Sequence, residues 1–351
     1  MKRILLVGAG HAHAVLLASL AEKPLFGASI TLVSPNARQI YSAMLPGVIA
    51  GHYRLEQAQF DVAMLAELAY AEFVESSLRR FDVTARRAVL QDFREVSYDL
   101  VSFNVGSVTD TSVPGSAEHA LPVKPFEGLV KNLRRASHVA VAGGGAAGAE
   151  LAMAIRHRGT EATLYAERDP FPEKLAWRVA RALRRRKVDY RPGMRVDAVE
   201  PGPVAVAGSS RQAFDLVLWA TGPAPLPWLR SSGLALDEHG FVKVDATLRS
   251  VSHPEVLAVG DCAALGEAKS GVHAVRQGAT LSINLRNLVE GKPLVAYQPE
   301  PKALLLLSCG SRYAIATRGA WSAEGRWAWW WKNWIDRRWL RRLDAPKRPA
   351  R

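Results

Sequence analysis

The sequence predicts an α/β fold: two Rossmann-like (three-layer ββα) domains, the second inserted in the first, with a small C-terminal segment after them. Three observations predict it. A glycine-rich turn between a short apolar run and an Ala/Leu-rich helix occurs twice. Each copy continues into a second apolar run of strand length, the strand–turn–helix–strand order of a parallel sheet. The chain has 351 residues, 48% hydrophobic and 23% charged, enough for two or three domains with packed cores.

The elements follow in order. Residues 3–7 read as a strand, 8–10 as the turn, 11–22 as a helix and 29–33 as the second strand. The second unit is 138–142, 143–148, 149–158 and 162–165. Each leading strand is a short apolar run, as suits a parallel strand buried on both faces. Neither helix contains an internal proline. Between the units, residues 81–83, 87–90 and 98–103 read as short strands from their alternation and β-branched content. After the second unit, 195–206 and 214–219 read as strands, with Pro201, Pro203, Pro223, Pro225 and Pro227 marking turns. Then come a buried strand at 256–259, a helix at 278–288, a strand at 303–307 and a Trp- and Arg-rich helix at 326–343. The expected domains are 1–125 with 249–290, the inserted 126–248, and a C-terminal segment 291–351. Residues 345–351, APKRPAR, read as disordered.

The N-terminus imitates a secretory leader, with a basic start and an apolar stretch. Two histidines and two glycines interrupt that stretch, and the same residues fit a strand, turn and helix. No apolar run reaches the roughly 18 residues of a membrane span. The net charge of +13 is concentrated in 181–187 and 326–351 and attracts anions without choosing among them. The run 181–187 reads as a solvated face, and without a nucleic-acid-binding motif no nucleic-acid partner is expected. Two cysteines, Cys262 and Cys309, with no CxxC, exclude a disulfide framework and a cysteine zinc site. They fit a reducing, cytoplasmic setting.

The motifs carry the chemistry. In Gly8-Ala9-Gly10-His11-Ala12-His13, Gly8 makes the tight bend and Gly10 lets the backbone approach a pyrophosphate at a helix N-terminus. His13 stands where a third glycine would be, so helix–strand packing must differ there. His11 is a helix-start donor near the phosphates. With His13 at i+2 it makes a poor metal pair, and no metal site is expected. The second strand ends in Ser34 where an acid usually grips the adenosine ribose, which loosens that contact. The second turn, Gly143-Gly144-Gly145-Ala146-Ala147-Gly148, has all three glycines. Glu167 after its second strand could bind a ribose 2′-OH and Arg168 a 2′-phosphate, and the register is uncertain by one residue. NADH and NADPH therefore both stay open, with NADH slightly ahead. Glu150 is placed in the first helical turn, stabilised by the helix dipole or positioned against a nicotinamide as a proton-relay group. Thr221-Gly222 and Gly260-Asp261 each follow a strand, and Asp261 could hydrogen-bond ribityl hydroxyls. Lys124 lies at the crossover between domains. Cys262 reads as a small buried residue.

The order of these motifs resembles the two-dinucleotide flavoproteins of the pyridine nucleotide-disulfide oxidoreductase superfamily. The stretches VGAGHAH, YSAMLPGVIAGHY, PVKPF, GGGAAGAELA and AVGDCA are similar to type II NADH dehydrogenases and to the flavoprotein module found fused to selenide, water dikinase. The resemblance covers about residues 1–340. It implies FAD on Gly8, Gly10 and Asp261, with Met44, Leu45 and Pro46 lining the isoalloxazine. It implies NAD(P)H on Gly143, Gly145 and Gly148, and it matches Glu150 to the glutamate after the glycine turn of type II dehydrogenases. The redox-active cysteine pair of the disulfide reductases is missing, which argues against thiol–disulfide chemistry.

The tail suggests the second partner. At 100° per residue Trp327, Trp330, Trp331, Trp334 and Ile335 fall on one arc, with Arg326, Lys332, Asn333 and Asp336 off it. Such a face suits a membrane surface, on the inner side of the cell membrane, or docks on the protein's own core or a second copy in a homodimer. The function expected is an FAD-dependent NAD(P)H dehydrogenase, passing hydride to flavin and electrons to a small-molecule acceptor, with a quinone suggested by that helix. The alternative is an FAD/NADH-binding redox sensor with little turnover.

Overall fold

A computed structural model describes residues 1–126 and 128–344. The disordered reading of 345–351 lies outside them. The first sheet has five parallel strands in the order Val256–Ala258, Leu100–Phe103, Lys2–Val7, Ala28–Ser34, Ala71–Glu75. The helix His11–Glu22 crosses from its central strand to the next. The second sheet repeats the plan: Leu121–Pro122, Leu216–Trp219, His138–Ala142, Glu161–Ala166, Asp189–Pro192, all parallel. In each, the glycine turn leaves the central strand where the chain order reverses, the crevice in which open α/β sheets bind ligands.

Each sheet also carries a three-stranded antiparallel layer, Leu78–Asp82, Arg87–Leu90 and Glu95–Ser97 in one, Ala198–Glu200, Val204–Ala207 and Ser210–Ala213 in the other. Two strands expected as longer single runs differ. The 98–103 run enters the parallel sheet only at Leu100. The 195–206 run is broken by a turn at its prolines. The edge strand Leu121–Pro122 joins the second sheet although it precedes residue 126.

The helix expected at 278–288 spans Gly271–Glu290, because Ser270 caps it by accepting the His273 N–H. Gly278, inside it, lets the first helix approach: a Cβ there would lie 2.7 Å from the Ala12 carbonyl oxygen. A C-terminal sheet follows, Leu305–Ser308, Ala314–Arg318 and Trp321–Gly325, of which the last two strands were not expected. Arg178 and Arg181 reach from the helix Glu173–Arg185 to the buried Glu324 carboxylate on this sheet, so the basic run is more than a solvated face.

The aromatic helix spans Arg326–Asp344 and lies on the core through Ala328, Trp329, Leu340 and Leu343. Lys332 and Asp336 are buried, whereas Trp327, Trp330, Trp331 and Trp334 are exposed. Among the described residues no helix is long and apolar enough to cross a membrane.

Candidate functional site

Gly8 sits at φ +85°, and a Cβ there would lie 2.5 Å from the Asn104 carbonyl oxygen. A Cβ on Gly10 would lie 2.5 Å from Asn104 Oδ1, and one on Gly260 2.5 Å from Asn104 Nδ2. Asn104 accepts the His13 backbone N–H at 3.1 Å and donates to the Val259 carbonyl at 2.9 Å. One buried amide thus locks the first glycine turn to the Gly260-Asp261 turn, and all three glycines are needed for it to fit. Gly10 caps the first helix without a side-chain hydrogen bond, which leaves the dipole and leading N–H groups to a phosphate.

His13 replaces the third glycine by bonding what that glycine would only approach. In the second turn a Cβ on Gly148 would collide with the Gly143 carbonyl. In the first turn His13 Nδ1 lies 2.6 Å from the Gly8 carbonyl and Nε2 2.8 Å from Ser102 Oγ. A carbonyl only accepts, so Nδ1 carries the proton and Nε2 accepts from the hydroxyl. Burial lowers the His13 pKa to about 4, and the ring is neutral. His11 is also pushed down to about 4, chiefly by burial. Its ring lies 5.4 Å from Tyr41 and 5.3 Å from Trp339, and its Nε2 is buried with no partner. Ser34 is fully buried, its hydroxyl taking a hydrogen bond from Gln39 at 3.3 Å.

In the second turn Gly143 has φ +122° and packs on the Ala220 carbonyl. Gly145 caps the helix Ala146–His157, with open space where its Cβ would be. Thr221 Oγ1 donates to the Asp110 carbonyl at 2.8 Å, and the Gly222 carbonyl accepts the Asp110 N–H at 2.9 Å. Both close the turn onto the crossover segment. Glu167 is exposed, 3.7 Å from Arg195.

Lys124 and Asp261 come together from the crossover and the end of the last parallel strand. Lys124 Nζ is 2.6 Å from Asp261 Oδ2 and 3.1 Å from Ser107 Oγ, which itself donates to Asp261 at 3.0 Å. Burial pushes the Asp261 carboxyl up, but the Lys124 charge and these hydrogen bonds outweigh it and hold the carboxyl below its usual range.

Met44, Leu45 and Pro46 form a buried 3-10 turn and helix start. Met44 packs with the first sheet's core and Leu45 with the second's, so the loop straddles both. Lys332 Nζ donates to the Ala43 carbonyl at 2.6 Å and to Asp336 Oδ2 at 2.7 Å, and Tyr41 donates to Asp336 at 3.3 Å. Glu150 faces the same group. It is the fifth residue of its helix and not in the first turn, because the helix begins at Ala146. The dipole therefore does not dominate: burial raises its carboxyl to about 7, against the Lys332 charge and a 2.7 Å hydrogen bond from the Ser308 N–H.

Residues 2–278 match the pyridine nucleotide-disulphide oxidoreductase family. The chain belongs to this family. It is an FAD-dependent NAD(P)H oxidoreductase, as its motif order implies. Among similar proteins, ferroptosis suppressor protein 1 of Xenopus tropicalis is 26% identical over 257 residues, aligning 67% of this chain and 68% of that one. An NADH dehydrogenase-like protein of Mycobacterium tuberculosis is 28% identical over 280 residues, 70% of each chain. The sulfide:quinone oxidoreductase of Aquifex aeolicus shares the fold with TM-score 0.83 at 15% identity, over 100% of this chain and 93% of that one. NDH2 of Plasmodium falciparum in complex with NADH superposes with TM-score 0.81 at 14% identity, over 99% of both.

The donor set of this oxidoreductase fits its cofactors. Two side-chain-free turns front helix N-termini, a buried histidine nitrogen lacks a partner, and a hydrogen-bonded carboxylate stands at the first sheet's end. The residues missed in the sequence are Asn104, Ser107, Lys332 and Asp336. Lys332 and Asp336 left a signal: a Lys and an Asp at i, i+4 on the side of the helix opposite the exposed Trp327, Trp330, Trp331 and Trp334. Asn104 and Ser107 left none.

Proposed function

We propose that this oxidoreductase is a type II NADH dehydrogenase-like enzyme that passes electrons from NAD(P)H to a quinone at a membrane surface. In this reading residues 1–125 and 249–290 hold FAD and 126–248 present the dinucleotide. Bound there, FAD would supply the two-electron redox chemistry between NAD(P)H and an acceptor. Gly8, Gly10 and His11 would meet its pyrophosphate, Asp261 and Lys124 its ribityl side, and Met44, Leu45 and Pro46 its ring. Gly143, Gly145 and Gly148 seat the second pyrophosphate.

The observation that carries the reading is the two-sidedness of the helix Arg326–Asp344. Its buried face brings Lys332 and Asp336 beside Glu150, and its outer face exposes Trp327, Trp330, Trp331 and Trp334. Exposed tryptophans with basic flanks suit an interfacial helix. A quinone gains two protons as well as two electrons. A carboxyl raised to about 7 at Glu150 can hold and release one near neutral pH. Relatives and fold neighbours named for NADH dehydrogenase and sulfide:quinone activity support the class.

Steady oxidation of NAD(P)H with a short-chain quinone, stimulated by liposomes, tests the reading. A single bleaching of the flavin followed by a stall would instead mark a redox sensor.

A further inference from the structure

We propose that the dinucleotide taken by this protein is NADPH, selected by Arg168 and Arg195 at the C-terminal edge of the second sheet. The inference rests on the reading that the second glycine turn carries the nicotinamide dinucleotide.

The register of the two turns decides which residue meets the adenosine ribose. In the first, the Gly8 N–H donates to the Val33 carbonyl at 2.8 Å, so the next residue, Ser34, ends the strand. In the second, the Gly143 N–H donates to the Tyr165 carbonyl at 3.0 Å, so the strand-end residue is Ala166 and Glu167 falls one beyond it. In an NADH site the strand-end residue is an acid that grips the ribose 2′-OH. The Ala166 side chain has no polar atom, the residue is 1% exposed, and it would collide with any Cβ on Gly144. That position offers a 2′-OH nothing.

Glu167 does not replace it. Its carboxylate is turned to Arg195, 3.7 Å away, and Arg195 is also 3.8 Å from Asp197. These separations are ion pairs without hydrogen bonds, so the Arg195 donors remain free for a better acceptor. Arg195 lies at the right end of the sheet: it follows the strand Asp189–Pro192, whose Pro192 is registered with Ala166. Arg168 has no hydrogen-bond or ion-pair partner among the described residues. Its carbonyl oxygen is 3.5 Å from the place a Cβ on Gly144 would take, at the mouth of the glycine turn. A planar guanidinium binds phosphate through two parallel N–H bonds, which a ribose hydroxyl cannot match.

The test uses the full flavin-loaded chain. Flavin reduction by NADPH and NADH is compared in the wild type, Arg168→Ala and Glu167→Ala, and binding of adenosine 2′,5′-bisphosphate and of 5′-AMP is measured by calorimetry. The expected wild type favours NADPH by about tenfold or more in kcat/KM. Arg168→Ala raises KM for NADPH about tenfold at little cost in kcat, leaves NADH nearly unchanged, and weakens the bisphosphate but not 5′-AMP. Glu167→Ala leaves NADH use intact. A wild type that favours NADH, or loss of NADH use in Glu167→Ala, overturns the inference while leaving the oxidoreductase reading in place. Reduction by neither dinucleotide overturns the functional reading instead. The bisphosphate then decides the site: binding lost in Arg168→Ala keeps it, and no binding ends it.

Discussion

Lys124 Nζ lies 2.6 Å from Asp261 Oδ2, joining a residue of the domain crossover to the turn after the last strand of the first sheet. Ser107 donates to the same carboxylate oxygen at 3.0 Å. Removing the lysine leaves a largely buried carboxylate with one hydrogen-bond donor in place of two and only the weaker Lys269 charge to hold it ionised. Lys124→Ala is expected to lower stability by about 1–3 kcal/mol and to reduce flavin retention. Urea unfolding of the flavin-free protein and the 450 nm absorbance of the purified one check both.

The two glycine turns separate by substitution. A side chain at Gly10 strikes Asn104, whereas at Gly145 it enters open space. Gly10→Leu should yield a colourless protein. Gly145→Trp should stay yellow and fold normally, yet lose reduction by NAD(P)H. If Gly145→Trp also emerged colourless, the assignment of the two turns would be reversed or wrong.

Glu150 sets a pH dependence. Its carboxyl, raised to about 7, is protonated below that value and ionised above it. The groups packed around it are Ser308, Cys309, Lys332 and Asp336. A proton needed at the acceptor is held only in the acid form, so quinone reduction should fall as pH rises through about 7. Glu150→Gln should flatten that profile and lower kcat by roughly 10²-fold, with hydride transfer from NAD(P)H, read by stopped-flow bleaching, little changed.

The buried histidines govern acid stability. His11 and His13 have folded values near 4, below the ordinary 6.5, so the folded protein resists charging them. Their contribution is complete above about 6.5 and is lost as pH falls toward 4, by up to about 3 kcal/mol for each. Glu150 works oppositely, because its neutral form is favoured and gains weight as pH falls. In a Glu150→Gln background, His13→Asn should show a shallower loss of stability over that window in denaturant titrations.

The tryptophan face makes a cleaner case than most surface positions. Replacing Trp327, Trp330 and Trp334 together with Ser removes exposed rings. Each ring is about half-buried and packs on neighbours, so stability should fall by about 1–2 kcal/mol per site without unfolding the protein. Liposome co-sedimentation should drop while NAD(P)H still reduces the flavin. Unchanged liposome binding would exclude this face as the membrane contact.

Both glycine turns, both central strands and the pairing of two parallel sheets were legible because they are local. An apolar run, a glycine and an alanine-rich helix specify a turn whatever lies around it. Family membership and cofactor class followed from the order of such local signals along the chain. Less was legible at the edges. Leu121–Pro122 and Trp321–Gly325 are strands only because Leu216–Trp219 and Ala314–Arg318 offer them a ladder, and nothing in their own residues demands it.

The sequence by itself determined where the backbone can turn and be approached closely, since a missing Cβ is a property of a position. Tertiary structure alone decided what surrounds those positions. It brought Asn104 between three glycines, took Glu150 out of reach of the helix dipole into a site where burial governs its proton, and turned the aromatic arc of Arg326–Asp344 outward. The physical reason is one of distance. Periodicity records that a helix has two unlike faces, but which face meets the core depends on partners hundreds of residues away, here Tyr41 and the Ala43 carbonyl, which hold Asp336 and Lys332 inside.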